Sequence, residues 1–349
     1  MGANTLSSNK KRGTLILKYI TLKRCILVSI PIYIVCILIN LLRFTPPTTF
    51  QELIQAFTSY DPENLSHYVM MNIKIPRIIG GMIVGSLLAI GGATMQGITK
   101  NYLASTDIAG IDSGAGLGLS IAMAINGGVS SYTDNIIYSM IGATVSTVII
   151  FYISSRIRGN ESGAKLLLAG SALGTLFSGI STGINILSEA GKSINIWNNS
   201  GLMGMRWIGV LVLLIGVVGA IIAFIISPRI TIIGMGDETA ISLGQNVKVT
   251  KLLGIISVVF ISTATVCTVG NIGFIGLVIP NMVKMAVGED YKKVIPISAY
   301  FGSMLLVFSD VVSRFFNPPA ETPIGTITSI IGIPIFLYLI NSKRSKEGM

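Results

Sequence analysis

The sequence predicts an all-α polytopic membrane protein of ten transmembrane helices. Three observations predict it. Of 349 residues, 51% are hydrophobic and 11% charged, with a mean hydropathy of +0.75, whereas a soluble domain carries roughly 25% charged residues. Ten apolar runs reach or approach the roughly 17–25 residues that cross a bilayer. With the N-terminus inside, 19 of the 25 Lys and Arg fall in cytoplasmic pieces and 6 in outer ones, a bias that predicts both termini in the cytoplasm. The net charge of +10 does not point to nucleic acid, because the basic residues sit at the ends of apolar runs and form no stripe.

Residues 1–24 are a polar, basic tail with Lys10, Lys11, Arg12, Lys18, Lys23 and Arg24. The run at 25–42 has no A-x-A cleavage site and reads as a retained first helix, not a signal peptide. An outer loop follows. Further spans are expected at 76–96, 107–126, 134–154, 166–188, 207–227, 249–269, 272–287, 294–313 and 324–341, making 25–341 one transmembrane domain, with a cytoplasmic tail at 342–349. The eighth is short and interrupted by Pro280, and a long cytoplasmic connection at about 228–250 separates the sixth and seventh. Glycines such as Gly80, Gly81, Gly85, Gly91, Gly92, Gly110, Gly114, Gly116 and Gly118 permit close helix packing or line a cavity. Ala93-Thr94-Met95 leading to Gly110-Ile111 is echoed by Ala264-Thr265-Val266 leading to Gly276-Leu277, in opposite directions across the membrane, which suits an inverted repeat.

Several chemistries are missing. The nearest string to a Walker A loop, Gly159 to Lys165, lacks its spacing and the following Ser/Thr. The one histidine, His67, reads as a solvated loop residue. Cys25, Cys36 and Cys267 have no disulfide or metal-site spacing. Asp107 and Asp112 suit the start of the third span, and Asp310 lies one turn before Arg314, where an intrahelical pair can form. No proton or ion relay emerges, so an ion-coupled secondary transporter is the weaker alternative and the energy source is expected in a partner. Lys74 and Arg77, in Lys74-Ile75-Pro76-Arg77, fall on the outer side against the charge bias.

Five motifs in order resemble the FecCD-type permeases of type II ABC importers for ferric siderophores, haem and cobalamin. They are the run from Lys74 to Gly118; Leu166 to Gly170; Gly234 to Ala240 with Ser242-Leu243-Gly244; Gly273 to Pro280; and Ala320 to Gly325. The resemblance covers nearly all of the chain after residue 25. It implies a type II ABC importer permease fold in the bacterial cytoplasmic membrane, paired with a second permease subunit as homo- or heterodimer. Two cytoplasmic ATPase subunits and an extracytoplasmic substrate-binding protein complete the assembly. The chain itself is expected to be no enzyme and to bind no cofactor or metal, ATP and Mg being used by the ATPases. The implied cargo is an iron complex, a ferric siderophore first, with haem or cobalamin as alternatives.

The resemblance also assigns residues. Lys74, Arg77 and Arg314 match cations that pair with acidic residues of the binding protein, although Lys74 stands where the family has arginine and lacks its bidentate geometry. Asp237, Glu238, Ser242, Leu243 and Gly244 match the loop that enters the ATPase as two short helices. Asn101, Tyr102, Leu103, Ala104, Ser162 and Gly163 match the cytoplasmic gate, with Tyr102 in place of proline and Asn281 in place of histidine after Pro280. Cargo is expected in a cavity lined by Gly- and Ser/Thr-rich faces of the second, third, fifth and eighth spans.

Overall fold

A computed structural model describes residues 24–44, 47–105, 109–127, 131–156, 162–188, 201–316, 318 and 321–347. Every regular element among them is helical. Helix α1 spans Arg24–Leu42. It is followed by α2 (Phe50–Thr58), α3 (Leu65–Val69), a π-helical turn Met70–Lys74, α4 (Ile75–Thr99), α5 (Ala109–Ile125), α6 (Tyr132–Arg156), α7 (Ser162–Leu187), α8 (Trp207–Gly234), α9 (Asp237–Ser242), α10 (Val247–Val269), α11 (Ile275–Val287), α12 (Tyr291–Phe316) and α13 (Ile324–Glu347). Each expected apolar run is occupied by one of these helices. Among the described residues six stretches are long and apolar enough to cross a membrane, while Gly110–Ile125, Ile275–Val287 and Ile324–Tyr338 are shorter apolar helices.

Helix α4 lies at the centre and packs against α8, α10, α11 and α12. Its glycines are the reason. Gly85 meets the backbone of Gly302 on α12, and Gly92 meets the backbone of Gly276 on α11 so closely that a Cβ would strike the carbonyl. Small residues let backbones approach where no hydrophobic effect drives association. The α4 glycines therefore serve packing. Helices α5, α6 and α7 form an adjoining group, with Gly114 and Gly142 facing each other across α5 and α6. In the echoed stretches, Thr94 donates to Ile90 O at 2.8 Å and Thr265 to Ile261 O at 2.9 Å.

Helix α1 is apolar and largely exposed, as is a stripe on α8 formed by Leu211, Leu214, Val218, Ile221 and Ile225. On a chain of this composition such faces meet lipid.

The two largest boundary shifts are at helix C-termini. Helix α8 continues past the expected 227 to Gly234, and α13 past 341 to Glu347, so most of the expected terminal tail is helical. Pro228 inside α8 cannot bond the Phe224 carbonyl, and Ser227 Oγ takes it instead at 2.8 Å.

The expected outer loop is ordered as α2, α3 and the π turn. Thr49 and Glu52 form a capping box, Glu52 Oε2 accepting from the Thr49 amide at 2.7 Å. His67 is buried and not solvated: its Nδ1 accepts from the Asp61 amide at 3.2 Å, and its ring stacks on Tyr60. The reading of Asp107 lies outside the described residues.

Candidate functional site

At one end of the bundle, Arg77 enters from the first turn of α4 and is buried. Its guanidinium serves two carboxylates. Nη2 lies 2.7 Å from Asp310 Oδ1 and Nε 3.1 Å from the same oxygen, while Nη1 and Nη2 reach Glu321 Oε1 and Oε2 at 2.9 and 2.6 Å. Asp310 thus pairs across helices with Arg77, and the intrahelical pair with Arg314 that the spacing permits is not among the ion pairs of the described residues. The reason is geometric: a planar fork takes two carboxylates side by side. Arg314 instead lies 3.3 Å from Glu321 Oε1 and stacks over the Phe44 ring at 4.8 Å.

Glu321 was missed in the sequence as a charged partner, although it stands in the Ala320 to Gly325 motif. The Thr322 amide, donating to Ser313 O at 3.0 Å, holds its segment against α12. Burial works to raise the Glu321 carboxyl, and Arg77 and Arg314 more than offset it, holding it below the ordinary range.

Lys74 lies in the π turn, buried, its Nζ donating to Leu41 O at 2.8 Å and Thr48 Oγ1 at 3.1 Å. The three cations gather at one end of the bundle. Lys74 and Arg77 are nevertheless buried in contacts within the chain rather than presented as exposed cations.

At the opposite end the long connection contains one short helix, α9, where two were expected. Gly236 before it has φ 126° and Gly244 after it φ 78°, conformations that favour glycine at both corners. Asp237 opens α9 and pairs with Lys100 and Lys251, each at 2.7 Å. Burial raises the Asp237 carboxyl and the two lysines outweigh it, so its pKa is lowered. Ala240 is buried, with Ile233 and Val247, while Met235, Ile241 and Leu243 are exposed. Ser242 Oγ bonds back to Thr239 O at 2.9 Å, and Glu238 lies in the first turn of α9.

Lys100 is the C-cap of α4, with φ 54°, and leads into the turn Asn101 to Ala104. Asn101 Oδ1 accepts from the Leu103 amide at 2.9 Å, Ala104 is buried and Leu103 exposed. The two departures from the family pattern touch: Asn281 Nδ2 donates to Tyr102 O at 2.8 Å. Tyr102 donates its hydroxyl to Glu289.

Beneath the ring lies Lys284, buried. It sits 5.1 Å from the Tyr102 centroid and 5.3 Å from that of Tyr291, with Nζ donating to Gln96 Oε1 at 2.7 Å. Pro280 leaves the Gly276 carbonyl without its helical donor, and Gln96 Nε2 supplies one at 3.3 Å. Lys284 falls inside the expected eighth span, 272–287. A lysine four residues after a proline in a short apolar helix was the signal available. Ser162 and Gly163 open α7, and the surroundings of both lie outside the described residues.

Between these ends lies a cavity of about 430 Å³ lined by Gly201, Asn271, Gly273, Gly325, Thr326 and Ser329, among others. Its walls come from the segments before α8, α11 and α13 and from α13 itself. Helices α4, α5, α7 and α11, expected to line a cargo cavity, contribute none of its described lining residues. Asn271 Nδ2 donates to Asp112 Oδ2 on α5 at 3.1 Å. A Cβ added to Gly116 on α5, or to Gly179 or Gly183 on α7, would meet no atom of the described residues outside its own helix within 4 Å, and Ser178 Oγ bonds Ser113 Oγ at 3.1 Å between these two helices.

Comparison with known proteins gives a consistent picture. The profile of the FecCD transport family matches residues 32–342. The chain is 40% identical over 296 residues to the iron(3+)-hydroxamate import system permease protein FhuB of Bacillus subtilis (strain 168), covering 84% of this chain and 76% of the relative. It is 33% identical to the iron-uptake system permease protein FeuB of the same organism, covering 93% and 98% of the two chains. A relative described as a probable heme-iron transport system permease protein, IsdF of Staphylococcus aureus (strain MSSA476), is 31% identical over 92% of this chain and 96% of its own. A solved structure of an inward-facing metal-chelate type ABC transporter superposes with a TM-score of 0.77 at 23% identity, covering 92% of this chain and 99% of that one, which shows the shared fold.

Proposed function

The chain belongs to the FecCD transport family, and from that membership we propose that it is the membrane permease subunit of an ATP-driven importer that carries an iron complex delivered by a binding protein. It is a transport component and not an enzyme. The cargo favoured is a ferric siderophore, since relatives named for hydroxamate and iron uptake are 40% and 33% identical. Haem is the second reading, supported by the relative named for heme iron, and cobalamin the third. The chain would work as a pair of permease subunits in the bacterial cytoplasmic membrane, both termini inside, with two ATPase subunits below.

The observation that carries this reading is α9. It is a six-residue helix with Ile241 exposed, flanked by exposed Met235 before it and Leu243 after it, and tied through Asp237 to the end of α4 and to α10. Exposed apolar clusters rimmed by charge mark contact sites, and an ATPase cleft suits this one. At the other end, Arg314, over Phe44 and beside Glu321, is the cation best placed to exchange partners with a carboxylate of the binding protein. Lys74 and Arg77 then act from beneath, by holding the α4 entrance and the Asp310–Glu321 pair. The turn Asn101 to Ala104, braced by Asn281, Lys284 and Glu289, serves as the inner gate together with Ser162 and Gly163. Alternating access follows when ATPase closure moves α9.

Reconstitution in vesicles with the candidate ATPase and binding protein tests the reading. Uptake of a radio-iron siderophore complex is expected only with ATP and both partners present. Uptake driven by an ion gradient alone, with neither partner, would instead make the chain a secondary transporter.

A further inference from the structure

The segment 50–73, at the Arg77 end, has a surface that neither docking nor gating uses. Helix α2 is apolar along two adjoining rows. Leu53 and Ala56 are buried against Met70, with Leu41, Leu42, Met71 and Ile75 packed around them. Phe50, Ile54 and Phe57, at i, i+4 and i+7, form the neighbouring row and are all exposed, Phe57 by 66%. Gln51, Gln55 and Thr58, all exposed, occupy the remaining arc. Such an apolar arc is wider than the protein face can cover, and half of it looks away from the protein.

The exposed row has companions. Leu65 and Tyr68 on α3 and Ile73 in the π turn are exposed. Trp207, at the start of α8, is 42% exposed, and its Nε1 donates to Met71 O at 2.9 Å. The indole N–H is thereby satisfied and the ring can lie at an interface between apolar and wet surroundings. Below Trp207, at spacings of three and four, the exposed stripe Leu211, Leu214, Val218, Ile221 and Ile225 runs down α8. The apolar surface of the outer segment thus continues the face that α8 turns to hydrocarbon.

We infer that α2 lies in the bilayer interface at the Arg77 end, with Phe50, Ile54 and Phe57 inserted among lipid headgroups and upper acyl chains and Gln51 and Gln55 in water. Its partner is a lipid surface. The geometry is that of a monotopic amphipathic helix, here clamped to the chain by Leu53 and Ala56. The clamp is well set: the capping box fixes the start of α2, Glu52 Oε1 accepts from Ser66 Oγ at 3.1 Å, and His67 holds Asp61. Because Leu53 and Ala56 grip Met70 and Ile75, on either side of Lys74, the helix sets the depth at which Lys74 and Arg77 sit. The inference requires only that the chain spans a membrane and does not depend on the nature of the cargo.

The test places a fluorophore on each side of α2. In a Cys25→Ser background, Phe57→Cys, Ile54→Cys and Gln55→Cys are each labelled in the full-length chain. Each is reconstituted in phosphatidylcholine/phosphatidylglycerol vesicles with or without brominated acyl chains. Labels at 54 and 57 are expected to be quenched by bromine and to be severalfold less accessible to aqueous iodide than the label at 55. Equal iodide access at all three positions, with no effect of bromine, overturns the inference. Shielding at 57 that appears only when the binding protein is added, or shielding without bromine quenching, assigns the row to a protein partner and overturns it as well.

Discussion

Arg77 shows how little one charge means without its surroundings. In the chain order it is an outer cation, and only the fold joins it to Asp310, 233 residues away, and to Glu321. Arg77→Met is expected to destabilise the protein by about 3–5 kcal/mol, the cost of leaving the buried Asp310 carboxylate without its cation, and Arg77→Met with Asp310→Leu to recover part of the loss; thermal unfolding in detergent measures both. Lys284 is the corresponding residue at the other end. Lys284→Met removes the cation between the rings of Tyr102 and Tyr291 and the donor to Gln96. Basal ATPase activity of the assembled transporter is expected to rise while uptake per ATP falls, as a loosened gate requires. Asp237 answers to pH. Its folded pKa is lowered, so the contribution of its ion pairs is present above the unfolded value of about 3.9 and lost as pH falls through the folded one. Hydrogen exchange in α9 should stay slow from neutral pH to about 5 and quicken only below the ordinary aspartate range.

Among the elements, the long apolar runs were legible because composition and length decide them. Short amphipathic pieces were not: α2 and α3 lie in a stretch whose hydropathy is too mixed for a span, and the capping pair Thr49 and Glu52 was the one local signal. Charge partners were unreadable for a different reason, since every ion pair of Arg77 and the Lys284 contact with Gln96 join residues far apart in sequence. The glycines were legible as small-residue contacts, but which are contacts and which face open space is a property of packing. Gly92→Val should drive α4 from α11, because its Cβ would collide with the Gly276 carbonyl, and overpacking of this kind costs about 1–3 kcal/mol or more. Gly116→Val, with nothing within 4 Å, should leave folded yield unchanged; size-exclusion profiles of the two variants decide.

Across the whole molecule, α4 begins with the Arg77 network and ends with Lys100 on Asp237. It is 25 residues without an internal break, about 37 Å long at the usual rise, and packed along its length. Such a helix is a push-rod between two faces. On the proposed function, displacement at the Arg77 end would reach α9 before any cargo has entered, and by reciprocity a binding protein would change nucleotide affinity by the same factor that nucleotide changes the affinity for the binding protein. Unloaded binding protein should therefore change the ATPase rate on its own, and Asp237→Asn, which unhooks the rod from α9, should abolish that response while leaving binding-protein affinity intact. The transporter would then read the arrival of its carrier separately from the arrival of iron, and futile hydrolysis in the absence of cargo would be a property of this helix.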